Sequence, residues 1–479
     1  MSRPSLKESC TKIVATVGPA CASVEQLAAL IQAGADVFRI NTAHGSRHEH
    51  ESTLANIRAA SKQSGFEAGV LLDLAGPKIR LGQLVEDPLV CELGATLSFV
   101  RGESASDSHE LTSSYARLID ELSPGDRVML ADGLVALQVE KVTESHAQCR
   151  VTAGGTVRSR QGINLPGVKL SVSAMRRQDV DNAIWAAQNN IDFVGLSFVR
   201  SAEDVQSLKD LLASHESNAM VIAKIEKPEA LDQLEAIVEA ADGVMVARGD
   251  LGVEIDVAET PVAQKRIIRV CKEKMKPVIV ATQMLESMHS SSRPTRAEVS
   301  DVANAILDGA DACMLSGETA IGEHPVESVQ MMNRIMLCTE REMLANPISE
   351  PIPNSRVSPI TTAVTIAATN IAEAIQAKLI VIGTHSGGTA WVKSKSRSRI
   401  PTLGASDSHD TLRRMNLLWG IKPILSSHLQ HTPEFIDEIC GWGREHADLK
   451  TGDQIVFVTG SGVVQKAHNV VIVHTVESR

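Results

Sequence analysis

A chain of 479 residues is longer than one ordinary domain, and we expect roughly two to four. With 43% hydrophobic and 22% charged residues, no apolar run of membrane-spanning length and no apolar export core at the N-terminus, it should be a globular cytoplasmic protein with no membrane partner. Its net charge of −11, from 47 basic and 58 acidic residues, argues against a general nucleic-acid binder and confines any anion site to a local cluster of cations.

Alternating β-like and amphipathic segments start near the N-terminus. The first strand is expected over Lys12–Val17, with a helix through Val24–Ala33. The second covers Asp36–Asn41, with a helix through His48–Ser61, and the third covers Gly69–Leu74. After an interruption the series resumes at Asp192–Ser197, Val221–Glu226, Gly243–Asp250, Pro277–Thr282 and Ala312–Ser316. Eight strands with helical connections predict a closed (β/α)8 barrel made from residues 1–80 and 169–350. An open parallel sheet is the simpler alternative. The count of eight, and polar groups recurring at the strand C-terminal ends, favour the barrel.

The interruption, 81–168, has short β-branched runs and turn signals at Pro124-Gly125-Asp126, Ala131-Asp132-Gly133 and Gly154-Gly155. It predicts a small inserted β-barrel hanging over the active face as a lid. Residues 351–479 carry strand candidates at Lys378–Gly383, Pro401–Ala405, Lys422–Leu425, Gln454–Thr459 and Val470–Val473, with helices between. They predict an open α/β domain behind a linker at Glu350–Arg356. No internal repeat or low-complexity tract is evident. Cys91, Cys271, Cys313 and Cys338 lie in apolar runs and are expected as buried thiols in a reducing compartment.

Chemistry concentrates at the strand ends. Side chains alternate along a strand, so Lys224 and Glu226 share a face, and Asp250 follows the next strand. Converging carboxylates suit a divalent cation, and a lysine beside them suits an anionic substrate. Arg39 and Asn41 share a face of the second strand, with His44 and Gly45 just beyond. Asp73 and Arg80 flank the turn Gly76-Pro77-Lys78. Internal ion pairing of Lys224 and Arg248 with Glu226 and Asp250 is the plainer alternative. Thr282 is either a functional hydroxyl or one that satisfies backbone, and Ser316-Gly317-Glu318 locally resembles a helix cap. In the last domain Thr384, Ser386, Gly387, Gly388 and Thr389 form a Gly-rich strand-to-helix turn that could cradle an anion. Beside it Lys393, Lys395, Arg397 and Arg399 form either a solvated basic face or phosphate ligands.

These residues resemble the pyruvate kinase family along essentially the whole chain. The resemblance is carried by Val246–Gly252, Ala281–Met288, Arg293–Glu298, Asp301–Asp311, Met314–Ala320 and Gly162–Gly167. It implies magnesium- or manganese-dependent phosphoryl transfer from phosphoenolpyruvate to ADP, giving pyruvate and ATP. It implies Glu226 and Asp250 as metal ligands, and Lys224, Arg39 and Arg80 as groups on the transferring phosphoryl. Gly249, Asp250 and Thr282 would hold the substrate carboxylate. Thr282 and Ser316 would lie on the proton path to the enolate, and Arg39, Asn41, His44 and Arg80 would face the nucleotide.

Departures from the family pattern sharpen the expectation. Ala43 stands where potassium-binding members carry Ser, and Lys78 where they carry Glu. The Lys78 ammonium, grouped with Asn41 and Asp73, is therefore expected to replace potassium. Thr42, Gln161 and Gly388 also depart, the last in a loop that resembles the site of a sugar-phosphate or AMP effector. A homotetramer is implied by the resemblance alone. A barrel lyase or mutase working through a metal-bound enolate, and a metabolite-sensing pseudoenzyme, are the competing readings.

Overall fold

Eight parallel strands follow one another around a closed barrel in chain order. They are β1 (Lys12–Thr16), β2 (Val37–Asn41), β3 (Gly69–Asp73), β4 (Phe193–Leu196), β5 (Met220–Ile225), β6 (Gly243–Ala247), β7 (Val278–Ala281) and β8 (Ala312–Leu315), and β8 pairs back onto β1. The structure, a computed structural model, describes residues 9–345, 358–459 and 470–478, apart from 103, 169, 172 and 430. The linker expected at 350–356 lies outside the described residues.

Alternation along each strand makes two apolar layers. Val14, Val37, Leu71, Phe193, Ile222, Met245, Ile279 and Met314 point inward, one from each strand, and fill the barrel. Their neighbours, such as Ile13, Phe38, Val70 and Val221, face the surrounding helices. Leu417, from the C-terminal region, joins the inner layer beside Met220 and Ala312, the first residues of β5 and β8. It therefore plugs the N-terminal end of the barrel, and the polar rim lies at the other end.

A fourfold device closes that lower end. Asp36, Asp192, Asp242 and Asp311 each stand one residue before an even-numbered strand. Their carboxylates accept the N–H groups of Ile13 at 2.8 Å and of Val70, Val221 and Val278 at 2.9 Å, all at the start of the preceding odd-numbered strand. Each aspartate also meets a cation: Lys12 at 3.8 Å, Arg413 at 2.8 Å, Lys209 at 2.6 Å and Lys395 at 2.8 Å. Only one residue type recurs, at intervals made unequal by the insertion and by helices of different length.

The insertion holds a six-stranded sheet, ordered Ile163–Asn164, Arg127–Leu130, Val135–Val142, His146–Ala153, Thr96–Val100 and Glu110–Leu111. A separate ladder joins Leu89–Cys91 to Gly155–Val157. All of these strands bury side chains in one apolar cluster, but among the described residues the ladders do not close into one circuit, unlike the small barrel expected. At the sheet's margins single bridges take over, such as Arg80 with Gly162 and Leu81 with Ser113.

The C-terminal sheet runs β11 (Ile421–Leu425), β10 (Thr402–Ser406), β9 (Leu379–Gly383), β12 (Gln454–Thr459) and β13 (Val470–Thr475), with only β13 antiparallel. It docks on the barrel through buried charge and backbone contacts. Arg413 meets Asp192, Lys395 and Arg397 meet Asp311, and the Trp391 indole donates to the Met275 carbonyl at 2.6 Å. Lys395 and Arg397 are thereby committed, Lys393 is buried against Ser396, and Arg399 reaches the Ala345 carbonyl at 3.3 Å. Neither a solvated basic face nor a free phosphate cluster results. The cysteines are all free thiols, and Cys338 is exposed rather than buried, on the outer side of the helix Pro325–Ala345.

Candidate active site

The inward alternation that fills the barrel turns polar at its C-terminal rim. On β5, Ile222 lies in the plug, Lys224 lies one step above it, and Glu226 stands just past the strand end. Lys224 is only 8% exposed, and its ammonium has three partners: Ser197 Oγ at 2.7 Å, Glu226 Oε1 at 2.9 Å and Asp73 Oδ1 at 3.2 Å. Burial lowers its pKa, but the charges of Asp73 and Glu226 outweigh burial and raise it above the ordinary lysine value. The group is a fixed cation.

Asp73, at the end of β3, is the hub. Burial opposes its charge, yet Lys224 and Arg39 hold its pKa below the usual value. Arg39 approaches Asp73 Oδ2 through Nε at 2.8 Å and Nη2 at 2.6 Å, while Nη1 reaches Thr16 Oγ1 at 3.2 Å. Glu226 behaves in the opposite sense. Burial raises its pKa, Lys224 opposes the rise and Asp250 adds to it. Its second oxygen accepts the Phe198 N–H at 2.8 Å, from a backbone held at φ +55°.

Asp250 lies in the short helix Arg248–Glu254 that follows β6 at once. It is half-buried and pairs with Lys78 at 3.4 Å. This corrects the grouping of Lys78 with Asn41 and Asp73. Asp73 is already engaged by two cations, and the turn at Gly76 (φ +66°) takes the chain across the rim toward the lid. A Cβ on Gly76 would lie 2.8 Å from the Phe198 ring, so glycine alone fits this turn. Asn41 Oδ1 accepts the Ala43 N–H at 3.1 Å, and the His44 side chain is exposed beyond it.

Thr282 follows β7 at φ +68°, a conformation costly for a β-branched residue. Its hydroxyl accepts the Gly249 N–H at 2.8 Å and donates to the Ala281 carbonyl at 2.7 Å. Arg248 braces the turn, donating to the Thr282 carbonyl at 2.7 Å while pairing with Asp301. Ser316 follows β8, and its hydroxyl is shielded from solvent without a hydrogen-bond partner among the described residues. Arg80, at the lid junction, donates to the Arg160 carbonyl at 3.1 Å.

The structure therefore brings Arg39, Asp73, Lys224 and Glu226 into one contiguous network and sets Asp250, Gly249, Thr282 and Ser316 on successive strand ends around the same rim. Sequence reasoning missed Ser197, which anchors Lys224 and donates to the Leu74 carbonyl at 2.7 Å, and Thr16, which steadies Arg39. Both are hydroxyls at the ends of barrel strands, and that position was the available signal. The effector-like loop is a tight turn. Thr384 Oγ1 accepts the Gly387 N–H at 3.0 Å, Gly387 has φ +87°, and the helix Gly388–Lys395 follows with Thr389 buried and Ser386 exposed.

Residues 8–329 match the family described as pyruvate kinase, barrel domain, and residues 362–474 match pyruvate kinase, alpha/beta domain. The chain is 41% identical to pyruvate kinase of Mycobacterium tuberculosis (strain ATCC 25618 / H37Rv), over 94% of each chain. It is 42% identical to pyruvate kinase of Agrobacterium vitis, over 95% of this chain and 94% of that one. A solved pyruvate kinase from Cryptosporidium parvum superposes with a TM-score of 0.91 at 34% identity, covering 98% of this chain and 96% of that one.

Proposed function

The chain belongs to the pyruvate kinase family of phosphotransferases, and we propose that the rim built around Lys224 carries the family's reaction, phosphoryl transfer from phosphoenolpyruvate to ADP. The single observation behind this assignment is a buried ammonium one step above the apolar layer of the barrel, held between Asp73 and Glu226 at the strand ends. A metaphosphate-like transition state asks the protein for positioning and positive charge rather than covalent chemistry. In this reading Lys224, Arg39 and Arg80 face the transferring phosphoryl group, and Lys224 also faces the enolate oxygen. The Gly249 and Asp250 N–H groups, with Thr282 Oγ, hold the substrate carboxylate. Arg39, Asn41, His44 and Arg80 face the nucleotide phosphates.

Glu226 and Asp250 suit a magnesium or manganese ion. They are hard oxygen donors, and the charge of Asp250 raises the Glu226 pKa, a repulsion that a cation between them would relieve. When bound, the ion would supply charge neutralisation and a template for phosphoryl and enolate oxygens. The unpartnered Ser316 hydroxyl and the Thr282 hydroxyl support a proton path to the enolate carbon. Exchange of Lys224 for Met leaves Glu226 buried without its cation and should lower stability, and it should lower kcat of the folded protein by roughly 100-fold or more. A Lys224→Met protein with near-native turnover in a coupled pyruvate-formation assay would refute the assignment.

We also propose turnover without potassium. Ala43 offers no side-chain oxygen, Asp73 is engaged by two cations, and the Lys78 ammonium already sits at the rim beside Asp250. Activity should persist when tetramethylammonium replaces potassium, and Lys78→Glu should create a potassium requirement. Loss of wild-type activity in tetramethylammonium would reject the idea.

The division into a barrel (1–80 and 169–350), a lid (81–168) and a C-terminal unit (351–479) is supported by separate apolar clusters in each. A homotetramer and a phosphorylated effector at Thr384–Thr389 belong to the same proposal. Size-exclusion light scattering tests the first, and saturation curves with fructose bisphosphate or AMP test the second.

A further inference from the structure

Away from the network around Lys224, two loops at the β7 and β8 ends converge. The loop after β7 ends in a single 3-10 turn, Glu286–His289, and the one-turn helix after β8, Gly317–Ala320, carries Glu318. Side-chain ligand atoms of Glu286, His289 and Glu318 all lie within 4.8 Å of one another. We propose that these three residues form a second divalent-metal site, distinct from Glu226 and Asp250, that takes a borderline ion of the zinc class.

The observation that separates this cluster from an ordinary acidic surface is the imidazole. His289 Nε2 is shielded from solvent and has no hydrogen-bond partner among the described residues. Its nearest carboxylate oxygen, Glu286 Oε1, is 3.8 Å away, too far for a hydrogen bond and suited to an atom between them. A shielded ring nitrogen with nothing to bind is costly unless a ligand meets it. The ring reaches this position only because residue 317 is glycine. A Cβ there would lie 2.2 Å from both Nε2 and Cε1.

Glu318 is fully buried. Its Oε1 accepts the Leu285 N–H at 3.0 Å and its Oε2 accepts the Ser316 N–H at 2.7 Å. Each oxygen keeps a second lone pair, so these bonds aim the carboxylate without exhausting it. Zinc holds nitrogen and oxygen donors at about 2.0–2.2 Å in a tetrahedron, which puts its ligand atoms about 3.5 Å apart. The observed spread of up to 4.8 Å therefore has to close by about 1 Å on binding, and Glu286 is the exposed member of the three. One imidazole with two carboxylates is a softer donor set than the all-oxygen pair Glu226 and Asp250, and it favours zinc over magnesium. Occupancy would tie the loop that follows Thr282 to the loop that carries Ser316.

The test is zinc binding by the full chain in saturating magnesium, measured by equilibrium dialysis for wild type, His289→Ala and Glu286→Gln. Wild type should bind one more equivalent than His289→Ala, and Glu286→Gln should bind it roughly tenfold more weakly or worse. Thiols such as exposed Cys338 contribute equally to all three proteins, so the difference isolates the site. Unchanged magnesium-supported turnover in zinc-free buffer would show that both variants fold. A zinc-edge anomalous peak between His289 Nε2 and Glu318 in wild-type crystals would establish the site whatever the variants do. Equal zinc stoichiometry in wild type and His289→Ala, with no such peak, would overturn the proposal.

Discussion

Lys393 is a charge held against its surroundings. Burial lowers its pKa from 10.5 to about 8, although Glu373 and Cys10 pull the other way. The sign of the linkage is clear. Below about 8 both the folded and unfolded chains carry the proton, and the full cost of burying it stands. Between about 8 and 10.5 the folded chain sheds its proton first, so stability should rise with pH across that window. Lys393→Met should therefore stabilise the protein at pH 7, by at most about 3 kcal/mol, and the gain should vanish near pH 10.5. Thermal unfolding at both pH values measures it, and equal gains at the two would show that the charge is not the cause. At this scale the sequence was most legible where two groups share a strand face. Lys224 and Glu226 follow from the period of two alone. Lys78 was legible as a charge but not in its pairing, because the turn at Gly76 decides which carboxylate it meets. Ser197 and Thr16 escaped notice because a hydroxyl at a strand end looks the same whether it binds backbone or orients a cation.

Elements carry the coupling between the lid and the helix that holds Asp250. The last lid strand, Ile163–Asn164, meets the helix Arg248–Glu254 through the Asn164 amide, which donates to Glu254 Oε1 at 3.0 Å, and Lys227 pairs with the same oxygen at 2.6 Å. That helix also carries Asp250. Asn164→Ala removes one buried hydrogen bond, worth about 1 kcal/mol, and should loosen the lid without touching the rim. Raised KM for ADP with a smaller change in kcat is the expected steady-state result. A fall in kcat alone would assign Asn164 to the chemistry instead. The barrel strands were legible to within a residue or two at most ends, since inward and outward layers both demand apolar side chains. Closure of the lid was not legible. Its ladders end in isolated bridges whose partners, such as Arg80 and Gly162, are far apart in sequence and carry no local pattern.

On the scale of the whole molecule, the fourfold aspartate device binds three parts of the chain together. Two of its four cations, Arg413 and Lys395, come from the C-terminal unit. Asp311→Asn would leave Lys395 and Arg397 buried without their carboxylate, and should cost about 3–5 kcal/mol. Barrel and C-terminal unit should lose stability together in denaturant unfolding. A variant in which only the C-terminal unit melts early would show the two to be independent. This repeat was hidden from sequence reading because its meaning lies in which N–H each aspartate reaches, not in any recurring string.

Leu417 gives that interdependence an order in time. All eight barrel strands leave the ribosome before Arg413, Leu417 and the C-terminal sheet are made. Until then the nascent barrel has an open floor, and Asp192 and Asp311 lack the cations that later meet them. The catalytic half of the chain is thus the first to be synthesised and the last to be finished, and the growing polypeptide depends on its own tail to seal it.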